Sequence, residues 1–121
     1  MMEFNQQEAN QNSIISFDEV SIILAHSSLE KPCFISSKYF TNIDIDSIEQ
    51  LDKELLFSLS HHDDIDILII GTGKTSKFLH PKKQIEFQHM GIGVECMKNE
   101  SAYHCFNLLL SDQRKVGLLV I

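Results

Sequence analysis

Short apolar segments alternate with polar turns through the first third of the chain. Residues 14–17, 20–26 and 33–36 are rich in isoleucine, phenylalanine and other side chains that favour strands. They are separated by Asp18 and Glu19 and by a Ser-Ser-Leu-Glu-Lys-Pro turn. Because short apolar runs between turn residues are typical of β-strands, we predict a small antiparallel meander of three strands.

The hydrophobic spacing changes to that of a helix between residues 45 and 59. Apolar side chains recur here mostly at three- and four-residue steps, which places them on one helical face: Ile48, Leu51, Leu55, Leu56 and Leu59. Asp44 or Asp46 can cap the start of such a helix. We therefore predict a single helix over this range, with its charged side chains in solvent.

The second half of the chain alternates between β and α patterns. Apolar strands are predicted at 65–70, 93–97 and 115–121, and amphipathic helices at 82–90 and 102–110. Gly91 suits the position just after a helix, where a positive φ costs a glycine little. Asn99 or Ser101 can cap the helix that follows. Two β-α-β units with right-handed crossovers place the three strands parallel in one sheet.

Together these elements predict the fold class α/β. We expect residues 13–121 to form a single three-layer domain, in which helices pack on a mixed central sheet with three parallel C-terminal strands. The N-terminal strands add an antiparallel part to this domain. Residues 1–12 are rich in Gln, Asn and Glu, and we expect them to form a disordered arm.

Charge is unevenly distributed along the chain. The formal net charge is −7, with 13 acidic and 3 basic side chains in residues 1–66 against 4 acidic and 7 basic in residues 67–121. An acidic chain with a single arginine, Arg114, is poorly suited to a phosphate backbone, which argues against nucleic acid as a partner. Four lysines follow closely after two glycines and form either a solvated loop or a rim that attracts anions: Lys74, Lys77, Lys82 and Lys83.

The cysteines and the N-terminal segment indicate in which cellular compartment the protein resides. Cys33, Cys96 and Cys105 are far apart and odd in number, which favours free thiols in a reducing environment. The first residues are not apolar enough for a signal peptide, and they lack the arginines of a mitochondrial presequence. No apolar run approaches the roughly 20 residues of a membrane span. We expect a cytoplasmic protein without membrane insertion.

The segment Gly-Thr-Gly-Lys-Thr at 71–75 resembles the end of a nucleotide-binding phosphate loop. Such a loop needs a glycine five positions before Gly73, and that position is Leu68, in the middle of a predicted strand. The glycines are better explained as a sharp turn at the carboxyl end of a parallel strand, which is also where α/β proteins bind ligands. We predict either turn chemistry alone or a shallow anion site there, formed by Gly71, Thr72, Gly73, Lys74, Met97 and Asn99.

Three further polar residues invite a structural interpretation. Glu95 lies within an apolar strand, and a buried carboxylate needs a partner, for which Asn107 and Arg114 are candidates. A hydrogen-bond network is the favoured hypothesis, with catalysis as the alternative. Neither the run from His61 to Asp64 nor the neighbours His104 and Cys105 has the spacing of a metal site or a catalytic pair. We therefore predict no catalytic residues, no metal and no cofactor.

Several short motifs recur in the order and spacing of a known family. The chain has IIGTG at 69–73, Pro81, GIGVECM at 91–97, and then Ala102, Asn107, Leu108, Arg114 and Val116. These resemble a family of small α/β domains that includes the mitochondrial respiratory complex I assembly factor 3 and a mammalian adipogenesis-associated protein. The resemblance implies a three-layer fold with a mixed sheet and no established enzymatic activity.

The chain also departs from the pattern of that family. Lys98 and Asn99 stand where relatives have Asp-Thr, and Tyr103 and His104 stand where they have Cys-Arg. Any charge-dependent site of the family at these positions is therefore in doubt for this chain.

Two functional hypotheses follow from these patterns. The first is a non-enzymatic protein-interaction domain that resembles an assembly factor and has a protein partner. The second is an anion-binding domain or weak enzyme that uses the Gly-Thr-Gly edge. The sequence does not predict an oligomeric state.

Overall fold

A computed structural model of the chain describes residues 11–74 and 77–121, so most of the predicted disordered arm, residues 1–10, lies outside the described part. The α-helices are α1 (Lys53–Ser60), α2 (Pro81–His89) and α3 (Asn99–Ser111). The strands are β1 (Ile14–Phe17), β2 (Ser21–Leu24), β3 (Ser28–Glu30), β4 (Cys33–Ser36), β5 (Phe40–Asn42), β6 (Ile67–Gly71), β7 (Gly93–Met97) and β8 (Val116–Val120).

A five-stranded mixed sheet forms the centre of the domain. Its strand order is β5-β4-β8-β6-β7, with β6, β7 and β8 parallel and with β4 antiparallel to both β8 and β5. This confirms the predicted mixed sheet with three parallel C-terminal strands. Strand β6 lies between β8 and β7, and nearly all of it is buried, as expected of an apolar strand that is covered on both faces.

The N-terminal meander is present, but its third strand is not the predicted one. Strands β1, β2 and β3 form a separate antiparallel sheet, and β3 falls within the segment predicted to be a turn. Residues 33–36 instead form β4 of the central sheet, paired with β8. All four residues of β4 are buried, as expected of a strand that is covered on both faces.

The central sheet is enclosed on its two faces by different elements. On one face, the N-terminal sheet and α3 share a core with Ile69 and Leu118. On the other face, α1 and α2 pack on Leu68 and Leu119. Consecutive residues of β6 and β8 thus point into opposite cores, as the pleat of a strand requires. The result is the predicted three-layer α/β domain.

The predicted helix over residues 45–59 is interrupted. A single 3₁₀ turn covers Ile48–Gln50, and α1 begins only after Asp52, whose carboxylate accepts a hydrogen bond from the amide of Leu55 at 2.9 Å. Neither Asp44 nor Asp46 caps a helix. The carbonyl of Leu51, which the break leaves outside a helical ladder, accepts a hydrogen bond from the ammonium of Lys83 at 2.7 Å. The apolar stripe therefore runs through two short elements.

Helix ends in the second half are partly as predicted. Gly91 follows Met90, the residue that caps the end of α2, and has φ of +83°, as predicted for the position after a helix. Helix α3 begins earlier than expected, with Lys98 in the N-cap position, so neither Asn99 nor Ser101 is the cap. Lys98 makes no side-chain capping hydrogen bond.

Candidate functional site

The residues predicted to form an anion site do meet at one edge of the central sheet. Strands β6 and β7 are parallel and end together, with Gly71 opposite Met97. The amide of Thr72 donates to the carbonyl of Met97 at 3.0 Å, which continues the ladder by one residue. Gly73 and Asn99 then pair twice: the Gly73 amide donates to Asn99 Oδ1 at 2.8 Å, and the Asn99 amide donates to the Gly73 carbonyl at 2.9 Å.

These contacts explain why two glycines lie one residue apart. A Cβ atom on Gly71 would lie 2.6 Å from Asn99 Oδ1, so only glycine leaves room for the asparagine side chain. Gly73 has φ of +93°, a backbone conformation that favours glycine. Leu68 lies buried within β6 and is therefore not part of a phosphate loop. This edge therefore has the geometry of a turn in which Gly73 and Asn99 satisfy each other's hydrogen-bonding groups.

A cavity of about 650 Å³ lies beside this edge, between the N-terminal sheet and the start of α3. We call it the α3 cleft. Its walls come from Phe17, Asp18 and Glu19 at the end of β1, from Lys31, from Gly73 and Lys74, and from residues 98–101 and Tyr103. Lys74, with 87% of its side chain exposed, forms an ion pair with Glu19 at 3.6 Å across the mouth.

Tyr103 is the unusual residue of the α3 cleft. It is only 2% exposed, yet its hydroxyl has no hydrogen-bond partner in residues 11–74 and 77–121. Its ring packs on Phe17, with centroids 4.6 Å apart. Burial, followed by the nearby Cys33 and Asp18, raises the pKa of Tyr103 to about 12, so the hydroxyl stays neutral at physiological pH. The sequence interpretation missed this residue as part of a site, although its position three residues before Phe106 indicates the buried face of α3.

The predicted polar network has a different arrangement. Glu95 is exposed, because β7 is an outer strand of the sheet and α3 packs mainly over β6 and β8. Arg114 is also exposed. Asn107 bonds instead to the backbone of Ile14: the Ile14 amide donates to Oδ1 at 2.8 Å, and Nδ2 donates to the Ile14 carbonyl at 2.9 Å. Within the described residues, no hydrogen bond joins Glu95, Asn107 and Arg114.

The rings of His61 and His62, which follow α1, contact each other with centroids 4.2 Å apart, while His62 and Asp63 also have partners elsewhere in the domain. The His62 ring stacks on Tyr39, with centroids 3.6 Å apart. Asp63 accepts hydrogen bonds from the Ser36 hydroxyl at 2.6 Å and from the Lys38 amide at 2.8 Å. Nowhere in the described ranges do three His, Cys, Asp or Glu side chains gather as metal ligands. The Asp63 carboxylate thus links the end of α1 to the end of β4.

The three thiols are free, and each is less acidic than an ordinary cysteine. Burial raises the pKa of Cys33 to about 12, and burial is also the main cause that raises the pKa values of Cys96 and Cys105. A thiol with a raised pKa is a poor nucleophile at neutral pH, because the thiolate is the reactive form. These cysteines have the character of packing residues.

A second surface feature lies on the opposite face of the central sheet, where α1 meets the end of α2. Two adjoining cavities of about 320 and 350 Å³ share the side chains of Phe57 and Met90. We call this surface the Phe57 groove. Lys53 and Glu54 lie at one end, and Ile65 and Ile92 lie beneath the other. The Phe57 side chain stands out from α1 and is 64% exposed.

None of the helices in the described part of the chain is both long enough and apolar enough to cross a membrane. A family model described as a protein of unknown function (DUF498/DUF598) matches residues 14–121. No curated protein matches the sequence.

Solved structures of bacterial proteins have the same fold. A Bordetella parapertussis protein has a TM-score of 0.80 and 19% identity, over 92% of this chain and 95% of that one. An outer membrane protein of Bartonella henselae has a TM-score of 0.78 and 21% identity, over 93% and 96%. A Bordetella pertussis protein described as a Mth938-like domain has a TM-score of 0.79 and 14% identity, over 100% and 91%. At these identities the likeness concerns the fold alone.

Proposed function

The chain belongs to the DUF498/DUF598 family of proteins of unknown function, and from this premise we propose that it is a non-enzymatic protein-interaction domain that acts in the manner of an assembly factor. The observation that carries the proposal is the Phe57 groove. An aromatic side chain that is 64% exposed lies there beside a methionine and above two buried isoleucines, Ile65 and Ile92.

The composition of this groove suits a protein partner. Aromatic side chains supply much of the binding energy in protein interfaces, and methionine adapts its shape to an incoming apolar group. An ion pair between Lys53 on α1 and Glu86 on α2, at 4.0 Å, links the two helices. One turn further along the chain from each of these residues, Phe57 and Met90 face the same groove and offer an apolar contact between two packed helices.

Charge defines the chemistry of the partner. Residues 1–66 carry 13 acidic and 3 basic side chains, and α1 belongs to this acidic part of the chain. Glu54 lines the groove, while Lys53 is already paired with Glu86. We infer that the partner presents an apolar side chain flanked by basic residues, since complementary charges favour encounter and set the orientation of binding.

The resemblance to the complex I assembly factor suggests a more specific role. A partner that is a subunit of a respiratory complex is the finer form of the proposal, and a cytoplasmic location is the accompanying prediction from the sequence. Fractionation of cells that produce the tagged protein tests the location. Mass spectrometry of proteins that remain bound to it tests the identity of the partner.

The substitution Phe57→Ala tests the interaction surface. We expect it to weaken binding of the identified, purified partner by about tenfold or more, which is the scale of an interface hot spot. Leu108→Ala is the matched control, because Leu108 is also 64% exposed but lies on α3, on the opposite face of the sheet. Equal binding of both variants and the unaltered protein would contradict the proposal. Thermal denaturation verifies that both variants are folded.

The second candidate function is the binding of a small anion, or a weak enzymatic activity, at the Gly-Thr-Gly edge. Its support comes from the neighbouring α3 cleft, because Gly73 and Asn99 already use each other's polar groups. Screening anionic metabolites by thermal shift, with Lys74→Ala as the variant, tests this candidate. If no anion changed the melting temperature of either the unaltered protein or the Lys74→Ala variant, this candidate function would be excluded.

A further inference from the structure

Two sets of hydrogen-bond donors that have no acceptor in the described part of the chain belong to residues that line the α3 cleft. One is a pair of amides in the first turn of α3, and the other is the hydroxyl of Tyr103. We propose that the cleft binds a small organic acid whose single carboxylate lies against the first turn of α3 and whose apolar body lies on Phe17. This inference gives the second candidate function a ligand class and is independent of the protein-interaction proposal.

The first turn of α3 offers backbone donors. The first amides of any helix have no acceptor within the helix, and here the Asn99 amide bonds to the Gly73 carbonyl. The amides of Glu100 and Ser101 donate no hydrogen bond within the described ranges, and both residues line the cleft. Helix α3 has 13 residues, so its dipole adds a partial positive charge at this end.

Tyr103 supplies the independent observation that points to a ligand. A buried hydroxyl without a partner is costly, and nearly all such groups in folded proteins are paired with protein groups or with ordered water. Tyr103 is buried and lines the same cavity as the open amides. The hydroxyl, whose pKa burial raises to about 12, is protonated at neutral pH and can donate to a carboxylate.

The charges around the cleft favour a monoanion over a phosphate. Lys31 and Lys98 line the cavity and attract an anion, whereas Lys74 is paired with Glu19. Asp18 and Glu100 also line it, and hydrogen bonds from the amides of Val20 and Ser21 lower the pKa of Asp18 and keep it ionised. A dianion would be repelled by these carboxylates more strongly than a monoanion.

Size and apolar surface favour an organic ligand over an inorganic one. A cavity of about 650 Å³ lies within the usual range of small-molecule sites. The Phe17 ring, packed on Tyr103, offers a flat apolar wall next to the donors. A carboxylate attached to an aromatic or aliphatic body would use both the donors and the wall.

The proposal is tested by titrating the ¹⁵N-labelled protein with acetate, butyrate and phenylacetate while following the amide resonances of Glu100 and Ser101 by NMR. We expect saturable shifts that are strongest for phenylacetate, and none with the neutral analogue phenylacetamide. Inorganic phosphate is a separate arm. Stronger binding of phosphate than of every carboxylate, or no saturable shift with any carboxylate, would overturn the proposal.

Tyr103→Phe removes only the hydroxyl and keeps the ring on Phe17. We expect phenylacetate to bind roughly tenfold more weakly to this variant, the effect of losing one hydrogen bond to a charged group. Tyr39→Phe is the matched control, since Tyr39 stacks on His62 away from the cleft, and we expect unchanged binding. Equal affinity of the Tyr103→Phe variant and the unaltered protein would overturn the role of the hydroxyl.

The free protein provides a second readout that does not need a ligand. Removing an unpartnered buried hydroxyl is expected to raise the melting temperature of the ligand-free Tyr103→Phe variant by a few degrees, because the group makes no bond that is lost. A lower melting temperature, together with absent carboxylate binding, would indicate that the hydroxyl holds an ordered water only, and the proposal would then be wrong.

Discussion

Asn107 on α3 completes the hydrogen bonding of Ile14 on β1. Its carboxamide accepts from the Ile14 amide at 2.8 Å and donates to the Ile14 carbonyl at 2.9 Å, the two bonds that a neighbouring antiparallel strand would make. Strand β1 is an outer strand of the N-terminal sheet. One side chain thus covers part of the strand edge and fastens the small sheet to the helix on the central sheet.

Replacing Asn107 is therefore expected to loosen the N-terminal sheet. Asn107→Ala removes both bonds and leaves the Ile14 backbone groups unpaired, at a cost of about 2–3 kcal/mol in the free energy of unfolding. Urea denaturation measures this loss, and hydrogen exchange should accelerate most at the Ile14 amide. His104→Ala, at an exposed position on the same helix, serves as the control. An unchanged exchange rate at Ile14 would contradict the assignment.

Gly71 and Asn99 are expected to be energetically coupled. Gly71→Ala brings a Cβ atom to 2.6 Å from Asn99 Oδ1 and should cost about 1–3 kcal/mol of overpacking strain. Asn99→Ala should cost about 1 kcal/mol through the lost bond to the Gly73 amide. Because Asn99→Ala also removes the clashing atom, the double variant should lose about 1 kcal/mol less than the two single losses added together. Additive losses in urea denaturation would argue against direct coupling.

Gly117 in β8 has no room for a side chain. A Cβ atom there would lie 2.8 Å from Phe34 Cε1 and 2.7 Å from Ile65 Cδ1, so Gly117→Ala should destabilise the domain by about 1–3 kcal/mol. Gly93→Ala in β7 is the matched control, because the nearest atom to its Cβ would be a carbonyl oxygen at 4.0 Å. Thermal and urea denaturation of both variants compare the two positions. If both variants lost the same amount of stability, the effect would come from replacing a strand glycine in general, and not from a clash with the Phe34 ring.

Stability is expected to fall in alkaline solution. Burial raises the pKa of Cys33 from 9.0 to about 12, and burial also raises that of Tyr103 from 10.0 to about 12. Above about pH 9 the unfolded chain therefore binds fewer protons than the folded one. The free energy of unfolding should decrease by about 1.4 kcal/mol per pH unit for each group ionised only in the unfolded chain.

The variant Cys33→Ala isolates the contribution of Cys33 to this pH dependence. Without this thiol, the decline between about pH 9 and 10 should be shallower, because only the less strongly shifted thiols of Cys96 and Cys105 contribute there, and Tyr103 adds its part above the ordinary tyrosine pKa of 10.0. Urea denaturation at intervals above about pH 8 measures both profiles. Identical profiles for the variant and the unaltered protein would show that Cys33 does not contribute.

The parts of the fold that follow local patterns could be predicted, and the parts that depend on distant pairing could not. The β-α-β order after residue 65 follows from periodicity, and the structure confirms it. Strands β3 and β5 have only three residues each, too few to show an alternating pattern. The place of β4 depends on its partner β8, because Phe34 pairs with Leu119 near the other end of the chain. Nothing around Phe34 in the sequence indicates that pairing.

The candidate site, too, could be predicted only in part from the sequence. The meeting of Gly71, Gly73, Met97 and Asn99 could be predicted, because parallel strands end at a common edge. The α3 cleft could not, since one of its walls comes from the end of β1, and no local pattern indicates that this sheet packs on α3. The apolar neighbours of Glu95 predict a buried side chain, but α3 packs mainly over β6 and β8 and leaves Glu95 on the outer strand β7 exposed.

The central place of β8 has a consequence for the order of folding. Within the described strands, β4 pairs only with β5 and β8, so β8 alone joins the antiparallel part of the sheet to the parallel part. A growing chain can form the N-terminal meander and the β6-α2-β7 unit from local contacts, but the sheet cannot close until residues 116–120 have been made. Closing it requires contacts between distant parts of the sequence, which slows folding. Until then, the buried strand β4 lacks a partner along one edge and is open to pairing with another chain.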